Sequence, residues 1–242
     1  MFMITTSFKS VPLATFKDDQ LRFSRVRTAY TDKERVVKAR FKKSGVDFPA
    51  CDILIRGFKE ERELQIWAKN KNATTFTFIK TYDFCMLSGV LGPKTKEGDS
   101  QVPEGYYHID RFNPASSYYL SLGINYPNTT DKKLSQHRNL GGDIFIHGEC
   151  VSIGCIPITN PLIKELYIMC VEAKSNGQSK IPVHIYPAKL TDACWEKLML
   201  KYADNPELIA HWENLKQGFA HFTKDKTLAK IGTSATGAYT FN

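Results

Sequence analysis

The spacing of apolar and polar positions divides the chain into three zones. Over residues 17–44 apolar positions recur at helical spacing, with Val36, Val37 and Phe41 as the stripe. Thr31 with Glu34 three residues on reads as a capping box, and Gly45 is placed to end the helix. From Ile53 to about Tyr186 the period shortens to that of strands. Residues 53–58, the polar turn Lys59-Glu60-Glu61-Arg62 and residues 63–67 predict a hairpin, and residues 75–82 alternate as a half-buried third strand does.

A helix interrupts the strand zone after residue 159. Asn160 is placed to cap it, Pro161 sits in its first turn where a missing N–H costs little, and Gly177 ends it. Its inward positions are Leu162, Ile163, Leu166, Tyr167 and Cys170. Residues 181–187 return as a strand whose proline suits an edge or a terminus, so His184 is expected to point into solvent or a groove. Two more helices are predicted over residues 191–221. The second opens at Asn205-Pro206-Glu207 and carries Leu208, Trp212, Leu215 and Phe219 as a stripe suited to packing on a sheet. The Gly-, Ser- and Thr-rich tail over 227–242 offers one short edge strand at 238–241. These elements predict an α+β fold: a mostly β core over 48–190, a helical lead-in over 1–47, and a helical extension with tail over 191–242.

The chemistry concentrates in one segment. Asp143-Ile144-Phe145-Ile146-His147-Gly148-Glu149-Cys150-Val151-Ser152-Ile153-Gly154-Cys155-Ile156-Pro157 reads as a buried strand that runs into a glycine-punctuated loop with a thiol at its end. A thiol becomes a nucleophile as its thiolate, and an imidazole in reach can hold the proton and return it. His147 and Cys155 are therefore the expected catalytic pair. Gly154 lets the chain turn so that its own N–H and that of Cys155 face a developing oxyanion. Ser152 is placed to orient the imidazole or line the pocket.

His-Gly followed by Ser-x-Gly-Cys resembles the active-site signature of the L,D-transpeptidase catalytic domain, the YkuD-type cysteine enzymes that act on bacterial peptidoglycan. Residues 91–99 and 103–107 are similar to that family's glycine-and-proline lead into a core strand, and residues 155–160 to the entry of the helix after the nucleophile. The resemblance covers about residues 48–222 and is nearest to the YafK-like branch. Two positions depart from the wider pattern: Ile153 stands where many members have a second His, and Pro157 where they have Arg or Asn. The resemblance implies a YkuD-type core and acyl transfer on peptidoglycan stem peptides, with His147 holding Cys155 deprotonated and a thioester as intermediate. An amine resolving the thioester makes a transpeptidase; water makes an amidase or carboxypeptidase. The branch includes a hydrolase that detaches a lipoprotein from peptidoglycan, and the missing polar residues tilt the expectation toward hydrolysis. The implied location is the periplasm or cell envelope.

Composition narrows the alternatives. With 242 residues, 42% of them hydrophobic, the chain can bury a substantial core without disulfide staples. No apolar run approaches the roughly 18 residues of a membrane span. Thr5, Thr6, Ser7 and Lys9 interrupt Met1-Phe2-Met3-Ile4 before the apolar core of an export signal can form. The net charge of +8 favours polyanions, but Lys and Arg are scattered, without the aromatic interleaving of a specific nucleic-acid surface. Arg35, Lys38, Arg40, Lys42 and Lys43 cluster on the first helix as a wet face.

The six cysteines, Cys51, Cys85, Cys150, Cys155, Cys170 and Cys194, lack a scaffold pattern. Cys85, Cys170 and Cys194 read as small apolar residues, and Cys150 as a candidate redox partner of Cys155. No metal or other cofactor is called for, because zinc wants four ligands and no second paired cluster exists. Of the other histidines, His108 reads as a strand-face residue, His137 as part of a polar loop over 128–139 that crosses the site, and His211 and His221 as helix-surface residues. A non-catalytic peptidoglycan-binding envelope protein is the alternative from another class, and a nucleic-acid binder the third.

Overall fold

The computed structural model describes residues 14–242, so the reading of Met1-Phe2-Met3-Ile4 lies outside the described residues. Two helices come first, α1 (Phe16–Leu21) and α2 (Ser24–Lys43), then β1 (Cys51–Phe58), β2 (Glu63–Asn70), β3 (Thr77–Asp83), β4 (Gly105–Asn113) and β5 (Ser121–Ile124). After α3 (Thr129–Leu134) follow β6 (Phe145–His147), β7 (Ile156–Pro157), α4 (Asn160–Ser175) and β8 (Pro182–Tyr186). The last elements are α5 (Asp192–Lys201), α6 (Pro206–Asp225), β9 (Ile231–Thr233) and β10 (Tyr239–Phe241). Eight strands join in one sheet in the order β3-β2-β1-β8-β4-β5-β6-β7, and β9 pairs with β10. This is the α+β architecture the pattern predicts.

β1 reads as a continuous apolar run because both of its faces are covered. Ile53 and Ile55 join Val183 and Ile185 of β8, Ile109 of β4, Leu122 and Ile124 of β5, and Ile146 and Ile156 in the core beneath α4 and α2. The alternate positions face α6: Phe58 and Tyr186 pack with Phe219, and Leu54 with Phe222. The Arg56 guanidinium sits among the rings of Phe58, Tyr186, Phe219 and Phe222 at 4.5 to 5.4 Å from their centroids. On the face that α6 covers over β1, β8 and β4, the residues of β5 and β6 are Ser121, Gly123, Phe145 and His147, and none of these joins the α6 core. That face continues beyond the α6 core, and His147 lies on this stretch, buried.

Two buried carboxylates on α4 hold the lead-in helices. Glu165 takes Lys33 at 3.2 Å and Lys80 at 2.8 Å, while Glu172 takes Lys17 at 2.5 Å and the Tyr30 hydroxyl at 3.0 Å.

Several local expectations are corrected. Thr31 lies inside α2, its hydroxyl donating to the Arg27 carbonyl at 3.1 Å, so it caps nothing. Val36 is exposed, while Val37 and Phe41 are buried. Lys59, read as part of a wet turn, is fully buried and pairs with Glu104 at 2.9 Å. The N-cap of α4 is Thr159, which frees the Asn160 side chain for another role. The loop over 128–139 contains α3, capped by Asn128 and Asp131. β8 is central, between β1 and β4, so His184 is buried and burial, then the Arg56 charge, push its imidazole down to about 3. His211 is no plain surface residue, for its Nε2 is buried.

Candidate functional site

β6 ends at His147 and β7 returns parallel beside it, pairing Ile146 with Ile156 and His147 with Pro157. Carried one step back, that register sets Cys155 beside Phe145. Residues two apart on a strand share a face, so His147 and Cys155 lie on adjacent strands on the face of the sheet turned away from α4. A parallel return normally needs a crossover of a dozen or more residues, whereas seven, residues 148–154, separate this pair.

Local bonds hold so tight a loop. The Gly148 N–H donates to the Leu120 carbonyl at 3.1 Å, and the Glu149 N–H to Asn160 Oδ1 at 2.9 Å. Cys150 is joined to Cys85 in a disulfide with Cα atoms 5.6 Å apart, within the range such bridges need. The Ser152 hydroxyl donates to the Cys155 carbonyl at 2.7 Å and accepts the Gly154 N–H at 3.2 Å. Gly154 has φ +129, and a Cβ there would come within 3.0 Å of the Gln101 carbonyl oxygen, so the turn into Cys155 requires glycine.

The imidazole of His147 is buried, with Tyr118 over it at 4.7 Å between ring centroids. Nδ1 lies 2.5 Å from the Gly148 carbonyl oxygen. A carbonyl can only accept, so Nδ1 carries the proton and Nε2 presents its lone pair as a base. Burial holds the ring below the usual histidine range, against the opposing pull of the Gly148 carbonyl. Cys155 is half-buried, its thiol 3.6 Å from the Asp143 carbonyl oxygen. Burial pushes the thiol up, and the Phe145 N–H and the Lys94 charge pull it back only in part. Burial thus works against the charged form of each group.

The structure thus brings His147, Gly154 and Cys155 together, and revises two roles. Ser152 braces the loop and makes no hydrogen bond to His147. The Gly154 N–H is occupied by Ser152, which leaves the Cys155 N–H as the backbone donor of the pair for an oxyanion. Cys150 is committed to Cys85 rather than to Cys155, and Cys85 is no plain apolar residue. Cys51 and Cys170 are buried, and Cys194 lies in the first turn of α5. His108 is half-buried on β4. Tyr118 and Cys85 support the site without a local signal, since each is brought in from a distant stretch of chain, whereas Asn160 comes from the same segment as Cys155. Arg25 helps, donating to the Ser116 and Tyr119 carbonyls on either side of Tyr118 at 2.5 and 2.7 Å.

Comparison with known proteins gives a consistent picture. The profile of the L,D-transpeptidase catalytic domain, YkuD, matches residues 53–185. The chain is 36% identical over 176 residues to Escherichia coli K12 YafK, provisionally named an L,D-transpeptidase, covering 72% of this chain and 68% of that one. Among solved structures it is similar to the helical cell shape determining protein Pgp2 from Campylobacter jejuni, at 18% identity and TM-score 0.46, covering 82% and 80% of the two chains. It is also similar to Mycobacterium tuberculosis L,D-transpeptidase 1, at 13% identity and TM-score 0.30, covering 56% and 62%.

Proposed function

The chain belongs to the L,D-transpeptidase catalytic domain (YkuD) family, and from that premise we propose that it cleaves amide bonds in peptidoglycan stem peptides through a thioester on Cys155. The observation that carries this reading is the pair His147 and Cys155 on one face of the adjacent strands β6 and β7, with the imidazole tautomer set by the Gly148 carbonyl.

The mechanism starts from the neutral pair. As the sulfur approaches the scissile carbonyl, Nε2 of His147 takes the thiol proton, so charge appears only when it is needed. The S–C bond forms, and the Cys155 N–H supports the oxyanion. The Gly148 carbonyl steadies the imidazolium from the other side. Collapse breaks the C–N bond, the departing amine takes the proton from Nε2, and a thioester remains. An incoming amine then gives a transpeptide; water gives a free carboxylate. The amide joining a lipoprotein to peptidoglycan is a second substrate with the same chemistry.

We place the protein in the envelope, which the family's substrate and the Cys85–Cys150 disulfide both support, since such bridges persist in oxidising compartments. No described helix is long and apolar enough to cross a membrane.

Digestion of purified muropeptides, crosslinked and lipoprotein-linked, with mass analysis tests the reading. Transfer yields a new crosslink, hydrolysis adds the mass of water, and Cys155→Ala should give neither. Turnover that survives Cys155→Ala overturns the proposal, and tight wall binding without any product favours a non-catalytic binder.

A further inference from the structure

Three features re-aim Arg111 toward the nucleophile. The ladder between β4 and β5 pairs Ile109 with Ile124 and then Arg111 with Gly123, so Asp110 is an extra residue, a β-bulge. Ile109 and Ile124 face the core under α4. Without the bulge Arg111 would share that buried face; the extra residue turns it to the opposite side. Arg111 pairs with Gly123, Gly123 with Phe145, and the β6–β7 register sets Phe145 beside Cys155. The four residues thus form one row across four strands on the face turned away from α4.

The row fixes the direction of the side chain. A Cβ at Gly123 would come within 2.9 Å of Arg111 Nε and 3.0 Å of the Phe145 ring, so the bare glycine is what lets the side chain lie down across the sheet. Its guanidinium ends 4.8 Å from the Phe145 ring centroid, pointing along the row toward the sulfur. Asp110 at 3.2 Å and Asp143 at 2.5 Å hold it in place. Asp143 is also the residue whose carbonyl accepts the Cys155 thiol. The Asp143 side chain is 80% exposed and that of Arg111 43%, so this is a solvent-facing cation with its planar fork accessible, held by a partner that a ligand can displace.

We infer that Arg111 is a specificity residue that binds a carboxylate of the substrate peptide next to the scissile carbonyl. This rests on Cys155 being the nucleophile. A guanidinium suits the task because its parallel N–H groups match the two oxygens of a carboxylate, which exchange for those of Asp143 as substrate enters.

The test compares alkylation of Cys155 by iodoacetate, which carries a carboxylate, with alkylation by neutral iodoacetamide. Both reagents form the same S–C bond and release iodide. Wild type, Arg111→Gln and Arg111→Lys are run at low ionic strength without reductant, and peptide mapping follows Cys155 with half-buried Cys194 as the internal reference. The iodoacetate-to-iodoacetamide ratio at Cys155 should fall at least about threefold in Arg111→Gln, stay near wild type in Arg111→Lys, and not change at Cys194. With a stem peptide as substrate, Arg111→Gln should raise KM about tenfold for the free acid and leave the amidated peptide unaffected. An unchanged ratio overturns the inference. So does an equal slowing by both reagents, which marks a structural role. If neither reagent labels Cys155, the nucleophile itself is wrong and this assignment falls with it.

Discussion

Cys155 and His147 both prefer their neutral forms, because burial on the sheet penalises a lone charge on either. That sets a pH signature. Alkylation of Cys155 by iodoacetamide should climb only above the ordinary thiol range, without the plateau on the acid side of neutrality that a standing imidazolium–thiolate pair gives. A rate already maximal near pH 6 contradicts this. The kcat/KM profile should have its acid limb below the ordinary histidine value, since His147 must be neutral to act as base. Removing the base with His147→Ala should lower kcat by about 10²–10⁴, read by product formation from stem peptides. At this scale the strand–loop–glycine setting of His147 and Cys155 was legible. The partners were not, because Tyr118, Arg111 and Cys85 reach the site through pairing that no local spacing encodes. Of the two roles expected for Ser152, orienting the imidazole has no hydrogen bond behind it, because a hydroxyl beside a turn bonds its nearest backbone groups, here Cys155 and Gly154.

Helix α4 carries the buried carboxylate that fixes the lead-in to the sheet. Burial alone raises the Glu165 carboxyl, but Lys80 and Lys33 outweigh it and hold the group below the usual range. A carboxyl depressed on folding contributes stability above its unfolded value and loses it as pH falls through the folded value. Glu165→Gln should therefore cost about 3 kcal/mol at pH 7 in urea unfolding, because it leaves two partly buried lysines facing a neutral amide. The gap to wild type should narrow below about pH 4. A gap independent of pH contradicts the ionic account. Elements themselves were largely legible: the first hairpin, the helix after the thiol and the last two helices follow the apolar period closely. β8 was the instructive failure. Pro182 marks only the strand's first residue, and His184 sits among Tyr106 and Tyr186 under α6, a polar residue in a strand buried on both faces. A β-bulge has no sequence period at all, which is why Asp110 and the turning of Arg111 emerge only from the ladder.

Across the whole molecule, the sheet is covered by α4 and α2 on one side and by α6 over part of the other, and His147 and Cys155 lie on the part of that second side beyond the α6 core. The Cys85–Cys150 bridge closes a span of 65 residues that links the end of β3 to the catalytic loop. Constraint of the unfolded chain by a loop of that size contributes about 4 kcal/mol. The double variant Cys85→Ser/Cys150→Ser should lose that much in urea unfolding and show slower Cys155 alkylation, because residues 148–154 lose a tether. Equal stability and labelling with and without the bridge contradict its proposed role.

The central claim is that a carbonyl of the stem peptide passes through the sulfur of Cys155. The most direct measurement is intact mass, with peptide mapping, of the chain acid-quenched during turnover of purified stem peptides. The account predicts one adduct, equal to the acyl fragment without its departing amine, located on Cys155 and missing from Cys155→Ala. Product that accumulates while Cys155 remains unmodified at every quench time, and at undiminished rate in Cys155→Ala, contradicts it.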